Sequence, residues 1–412
     1  MQRPSLPSLV LAAVPALCAL TFAGSSQAEL WCAEPLVVHE WGVQVFAGGA
    51  ARRLGPDAAA LPRYFHDHPS GPVAAGPPVR SLPVDSGLRA LPVVQFYAAG
   101  TFTPVPVGIE VGFRQGDATV WYPQIDQRRS ATDANGAAAQ AARAQLLRAR
   151  AARANDPARY TGALPASPAD PTRQLTWDAL RLTRAPAHAR AQSQVPWVDR
   201  LRGFGDALWV NGASESERFV FYEARTSERQ ALSIERGPTY AAGRRHVILR
   251  NASASPVFDV FLVHREGADT YLFYAPSIPA HATAGLVLEQ HRTTAATFAA
   301  GSRARLRQQL TDAHEPRAPR EHHWDTDDCV MGRDPAMPVE AAEGHRLYAQ
   351  EVDALLEVWG ARLFDAPGTT LVYREDTHYL DDVMPLSIYT DMSHFVRLRR
   401  AGLAVVENAR LP

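Results

Sequence analysis

The 412-residue chain carries 42 basic and 43 acidic residues, a formal net charge of −1. Every basic residue is an arginine. That balance gives no electrostatic footing for nucleic acid or an anionic membrane. With 46% hydrophobic residues the chain can bury a sizeable core.

The first 28 residues read as a secretory signal peptide. Arg3 gives a basic start, Leu9 to Ala23 is uncharged and apolar, and Ser26-Gln27-Ala28 is a small-x-small cleavage site. Cleavage after Ala28 predicts a secreted or periplasmic product. No later stretch is apolar enough to predict a transmembrane segment.

Strand signals begin at Leu36–Phe46, an apolar stretch that holds the pair His39-Glu40. Gly48 to Gly87 reads as a long Gly/Pro/Ala loop. Pro92–Tyr97, Thr103–Phe113 and Ala118–Tyr122 follow as strands, the last two joined by a turn at Gly116-Asp117. Asn135–Ala154 has high helix propensity, and Asp156–Pro171 is Pro-rich. From Ala207 come six short strand candidates, ending at Leu286–Glu289. The stretch from Arg245 to Arg265 reads as two strands of one immunoglobulin-like sheet. Thr294–Thr311 and Glu340–Phe364 read as helices. In the second, Tyr348, Val352, Leu355 and Trp359 share one face, with Glu351, Asp353 and Glu357 elsewhere. Leu371–Tyr373, Leu386–Tyr389 and Phe395–Leu398 read as strands that return to a sheet.

The expected fold is mainly β with C-terminal helices (α+β), built on β-sandwich or immunoglobulin-like antiparallel sheets. Five regions follow: 1–28, the signal peptide; 29–134, an N-terminal β region; 135–200, a helical and Pro-rich insertion; 201–292, sandwich-like; and 293–412, helical with returning strands.

After cleavage two cysteines remain, Cys32 and Cys329. In an oxidising compartment they read as one disulfide. His39 and Glu40 are adjacent on a strand, so their side chains point to opposite faces. His39-Glu40 is no zincin motif, because the position four residues after His39 is Val43. The segment 321–329 concentrates His322, His323, Asp325 and Asp327, residue types that ligate zinc or another divalent metal. A bridge between Cys32 and Cys329 would start His39 and this segment from one covalent point. His66-Asp67-His68 and the cluster Asp376, His378, Asp381 and Asp382 are lesser metal candidates, and each reads first as a solvated loop or turn. The sequence has no nucleophile elbow, P-loop or dinucleotide fingerprint.

Val38-His39-Glu40-Trp41-Gly42, Pro92–Tyr97, Val120-Trp121-Tyr122-Pro123-Gln124, Glu217–Tyr222, Leu347–Trp359 and Met384-Pro385-Leu386 resemble a group of secreted bacterial proteins of unknown function. Members usually read His-Glu-Trp-Gly-Thr, whereas Val43 follows Gly42 here. The resemblance implies export and a shared fold, brings no activity, and makes His39, Glu40 and Trp41 the first residues to test.

Two functions follow as expectations. One is an exported β-rich protein of the periplasm or cell surface that binds a ligand or partner or supports the envelope, with Trp41 as a binding residue. The other is a metal-dependent hydrolase. There His39 with His322 or His323 holds the metal, Asp325 or Asp327 completes the shell, and Glu40 is the general base. A carbohydrate-binding module would need Trp121, Trp177 and Trp209 exposed.

Overall fold

The computed structural model describes residues 34–47, 52–53, 61–67, 81–82, 87–98, 104–129, 173–193, 195–238, 244–312, 344–390 and 394–411. These residues are mainly β, with several antiparallel sheets and a few helices. The signal region, the expected helix 135–154, both cysteines, His68 and the segment 321–329 lie outside the described residues.

The chain is built around β1 (Glu34–Ala47). It lies inside a ten-stranded sheet, parallel to β15 (His394–Glu407) and antiparallel to β2 (Gly87–Ala98). Beyond β2 come β7 (Val220–Thr226) and β4 (Gly116–Tyr122). Beyond β15 come β13 (Gly368–Glu375), β10 (Val257–Glu266) and β11 (Asp269–Ile278). Two-residue strands, Arg292–Thr293 and His66–Asp67, close the two edges. Strands from regions 29–134, 201–292 and 293–412 thus share one sheet.

A sheet covered on both faces buries nearly every residue of its central strands, which is why β1 shows apolar residues on both faces around its buried polar ones. On one face Trp41, Val43 and Val45 pack against α1 (Pro196–Arg202), α3 (Arg303–Leu310) and α4 (Ala349–Gly360). The expected helix 294–311 is in fact α2 (Ala295–Gly301) and α3, separated at Ser302.

The other face carries two smaller antiparallel sheets. Leu36 and Val38 share an apolar core with β3 (Val105–Gly112), β5 (Gln174–Thr183) and β14 (Leu386–Thr390), in a six-stranded sheet that also holds β6 (Trp209–Asn211). Phe46 belongs to a separate core with β8 (Leu232–Arg236), β9 (His246–Asn251) and β12 (Thr283–Val287). The two strands read as one sheet between Arg245 and Arg265 are β9 and β10, and they lie in different sheets. Val247 and Leu249 meet Val260 and Leu262 across that core, so the connection turns from one layer to the next.

Between these two cores, the even-numbered face of β1 presents Glu40, Gly42 and Gln44. Their register partners on β15 are Arg400, Gly402 and Ala404. This polar seam is covered by α5 (Thr377–Val383), whose Leu380 and Asp381 are buried. No helix among the described residues is long and apolar enough to cross a membrane.

Candidate functional site

The two faces of β1 carry separate polar sites. His39 is fully buried on the helical face. Its Nδ1 lies 2.6 Å from Glu351 Oε2 of α4. The same oxygen accepts the backbone N–H of Tyr348 at 2.8 Å, the carboxylate half of a capping box. Glu351 is therefore aimed by its own helix start. An oxygen already accepting from a backbone N–H acts as acceptor again, so Nδ1–H donates. The Tyr348 and Tyr97 rings stand 4.5 and 5.4 Å from the imidazole. Burial, then the Glu351 carboxylate, push the Tyr97 phenol well above its ordinary value. His39 Nε2, Tyr97 Oη and Glu351 Oε1 have no hydrogen-bond partner among the described residues.

On the opposite face Glu40 is held by two donors. Tyr222 OH donates to Oε1, and Arg400 Nε donates to Oε2. Arg400 is fully buried. It also donates to Asp381 Oδ1 and to the Met384 carbonyl, both at 2.8 Å. A second arginine repeats the pattern. Arg89 of β2 forks onto Glu228 and onto Glu375, and Tyr379 OH donates to Glu228 Oε2 at 3.0 Å. The two units read Tyr222–Glu40–Arg400–Asp381 and Tyr379–Glu228–Arg89–Glu375. They are joined through α5, which supplies both Tyr379 and Asp381. Burial pushes the carboxyls of Asp381 and Glu375 upward against their arginines, and it pushes the Tyr222 phenol well up.

Glycines set the spacing at this seam. A Cβ on Gly402 would sit 2.8 Å from Glu375 Oε2 and 2.9 Å from the methyls of Leu380. Between α5, Trp41, Gly42, Arg89 and Gly402 lies a cavity of about 20 Å³, room for one water. A second of about 20 Å³ lies at the start of α5, among Arg229, Ser255, Tyr373, Asp376 and Tyr379.

The alternation of β1 thus separates His39 from Glu40, and a dyad facing one pocket is not formed. Trp41 is buried, its Nε1 3.4 Å from Gln95 Oε1. His322, His323, Asp325, Asp327, Cys32 and Cys329 lie outside the described residues. His66 pairs with Glu215 at 2.8 Å and stacks on Tyr122. The acidic C-terminal cluster divides: Asp376 caps α5, Asp381 turns inward to Arg400, and Asp382 pairs with Arg114 at 2.6 Å. Among the described residues no group of three His, Cys, Asp or Glu is arranged to hold a metal. Trp121, Trp177 and Trp209 are all buried, so none offers the exposed platform that carbohydrate binding would use.

Sequence reasoning missed Glu351, Arg400, Arg89 and Tyr222. Two of them had a signal. Glu351 stands three residues after Tyr348 and four before Leu355, inside the apolar stripe rather than away from it. Arg400 follows Val396 and Leu398 at two-residue spacing, a cation in an apolar alternation. No family model matches the chain, and no curated protein matches it.

Proposed function

We propose that this is an exported β-rich protein of the periplasm or cell surface that binds a ligand or partner or supports the envelope. In this reading the His39-Glu40-Trp41-Gly42 stretch fastens the layers and does no chemistry. The observation that carries it is the burial of His39 and Glu40 on opposite faces of β1, each engaged by internal partners. The signal-like start and the resemblance to secreted bacterial proteins support export. An immunoglobulin-like sandwich is part of the same proposal, supported by the long sheet facing two smaller antiparallel sheets across apolar cores. So is the Cys32–Cys329 disulfide, supported by the expected compartment.

One observation favours a second reading, the metal-dependent hydrolase. A histidine whose Nδ1–H is held by a carboxylate and whose Nε2 is open has the arrangement of a metal-ligating imidazole. The described residues that bracket segment 313–343 lie beside it. Asp312 pairs with Arg399, the register partner of His39, and Gly344 O accepts from Arg400 N at 2.9 Å. His322 and His323 belong to that segment. Zinc or another divalent ion would take His39 Nε2 as one ligand.

Elemental analysis of the purified, exported chain separates the two. The leading proposal expects a folded wild type without stoichiometric metal. A stoichiometric metal that is lost in His39→Ala would overturn it in favour of the hydrolase.

A further inference from the structure

A sheet edge left open is a template for another strand, and most edges of this molecule are guarded. The long sheet ends on the two-residue strands Arg292–Thr293 and His66–Asp67. The six-stranded sheet ends on the two-residue strand Ser216–Glu217 and on β14, whose Leu386, Ser387, Ile388 and Thr390 are buried. The three-stranded sheet runs in the order β8-β9-β12. Its β8 edge is guarded by charge: Glu235 and Arg236 lie on the strand, and Pro238 follows it. Its β12 edge reads Thr-Ala-Gly-Leu-Val, with no ionisable residue and no proline.

The register with β9 fixes which backbone groups of β12 are already used. Asn251 N–H donates to Ala282 O, and Leu288 N–H donates to Arg245 O. Between these bonds Leu249 stands opposite Ala284, and Val247 opposite Leu286. Hydrogen-bonded pairs alternate along an antiparallel ladder. Ala284 and Leu286 therefore turn their N–H and C=O toward β9, and Thr283, Gly285 and Val287 turn theirs outward. No backbone group among the described residues bonds those three on the outer side. Thr283 and Gly285 are exposed, and a Cβ on Gly285 would meet nothing within 4 Å.

We propose that β12 is a self-association edge, on which a second copy of this chain lays its own β12 antiparallel about a two-fold axis at Gly285. The outward rows of two such strands match in full in one register only, with Gly285 opposite Gly285 and Thr283 opposite Val287. That is the closed, self-complementary contact of a two-fold dimer. Each outward residue then exchanges both of its backbone bonds with its mate. No like charges oppose one another, and no side chain stands at the axis. Leu286 and Ala284 already face the core of their own sheet, so the joined sheet keeps one apolar face throughout. β12 offers no charged group that would select a foreign peptide, whereas its own sequence supplies the whole complement. The inference does not depend on the function proposed above.

Analytical ultracentrifugation of the purified, exported chain over a concentration series tests this. Wild type should sediment with twice the mass of one chain and fall to the single mass on dilution. Gly285→Lys and Gly285→Glu each set like charges opposite one another across the axis. Each should raise the dimer dissociation constant at least about tenfold, and an equal mixture of the two should restore the dimer. Hydrogen exchange on wild type reads the same contact without a variant. The amides of Thr283, Gly285 and Val287 should slow as concentration rises, while those of Ala284 and Leu286 are protected at every concentration. A wild type that stays a single chain throughout overturns the proposal. So does a dimer that withstands both variants, a mixture that fails to pair, or exchange at Thr283, Gly285 and Val287 that ignores concentration.

Discussion

The two faces of β1 solve the same problem differently. On the helical face one imidazole meets one carboxylate, and three buried polar atoms around them stay open among the described residues. On the sheet face two arginines, four carboxyls and two tyrosines engage one another across six parts of the chain. The first is a local pin whose geometry comes from a helix cap. The second is a collective network whose members have no role alone. A strand buried on both faces can carry both, because neighbouring residues never share a side.

The contrast is broken most severely at Arg400. Arg400→Met leaves Glu40 and Asp381 buried without their cation, and about 3–5 kcal/mol of stability should be lost. Urea denaturation measures this, and a loss below about 1 kcal/mol would show that the network is not fully desolvated. Glu351→Gln is milder. It weakens the charge-assisted bond from His39, at a cost of about 1–3 kcal/mol by the same assay. Gly402→Ala adds a methyl against Glu375 and Leu380, with an expected cost of about 1–3 kcal/mol from overpacking. Its effect belongs to the sheet face, so protection of α5 should fall while that of α4 is kept.

The smallest effect lies away from both faces. Burial, then Arg374, push His345 down to about 4. A depressed histidine contributes stability above its unfolded value near 6.5, and this is lost as pH falls through about 4. Proton NMR should find His345 neutral at pH 5.5, and His345→Gln should flatten the acid side of the stability profile. A His345 titration near 6.5 would contradict the burial argument.

Much of the fold was legible because the β1 stretch is mostly apolar and because short strands recur between turn residues. The opposite aims of His39 and Glu40 were legible for the same reason, since strand alternation needs no tertiary knowledge. Their partners were not. Glu351 and Arg400 lie 312 and 360 residues away, brought in by a helix over the sheet and by a parallel pairing with the far end of the chain. The local spacing marks both residues as buried but does not name the partner each one meets. Glu351 reads as lying off the apolar face because its charge outweighs its position in the stripe. Arg89 and Arg400 are two arginines in a chain where every cation is arginine, so residue type marked neither. The placement of β9 and β10 in separate sheets was hidden because a short connection between strands serves a hairpin and a layer change alike.

The central claim is that His39 and Glu40 are neighbours in sequence and strangers in energy. A pair of double-mutant cycles measured by denaturation tests it directly. The expected coupling is about 1–3 kcal/mol between His39→Ala and Glu351→Ala, and within about 0.5 kcal/mol of zero between His39→Ala and Glu40→Gln. Strong coupling between His39 and Glu40, with none between His39 and Glu351, would contradict the account.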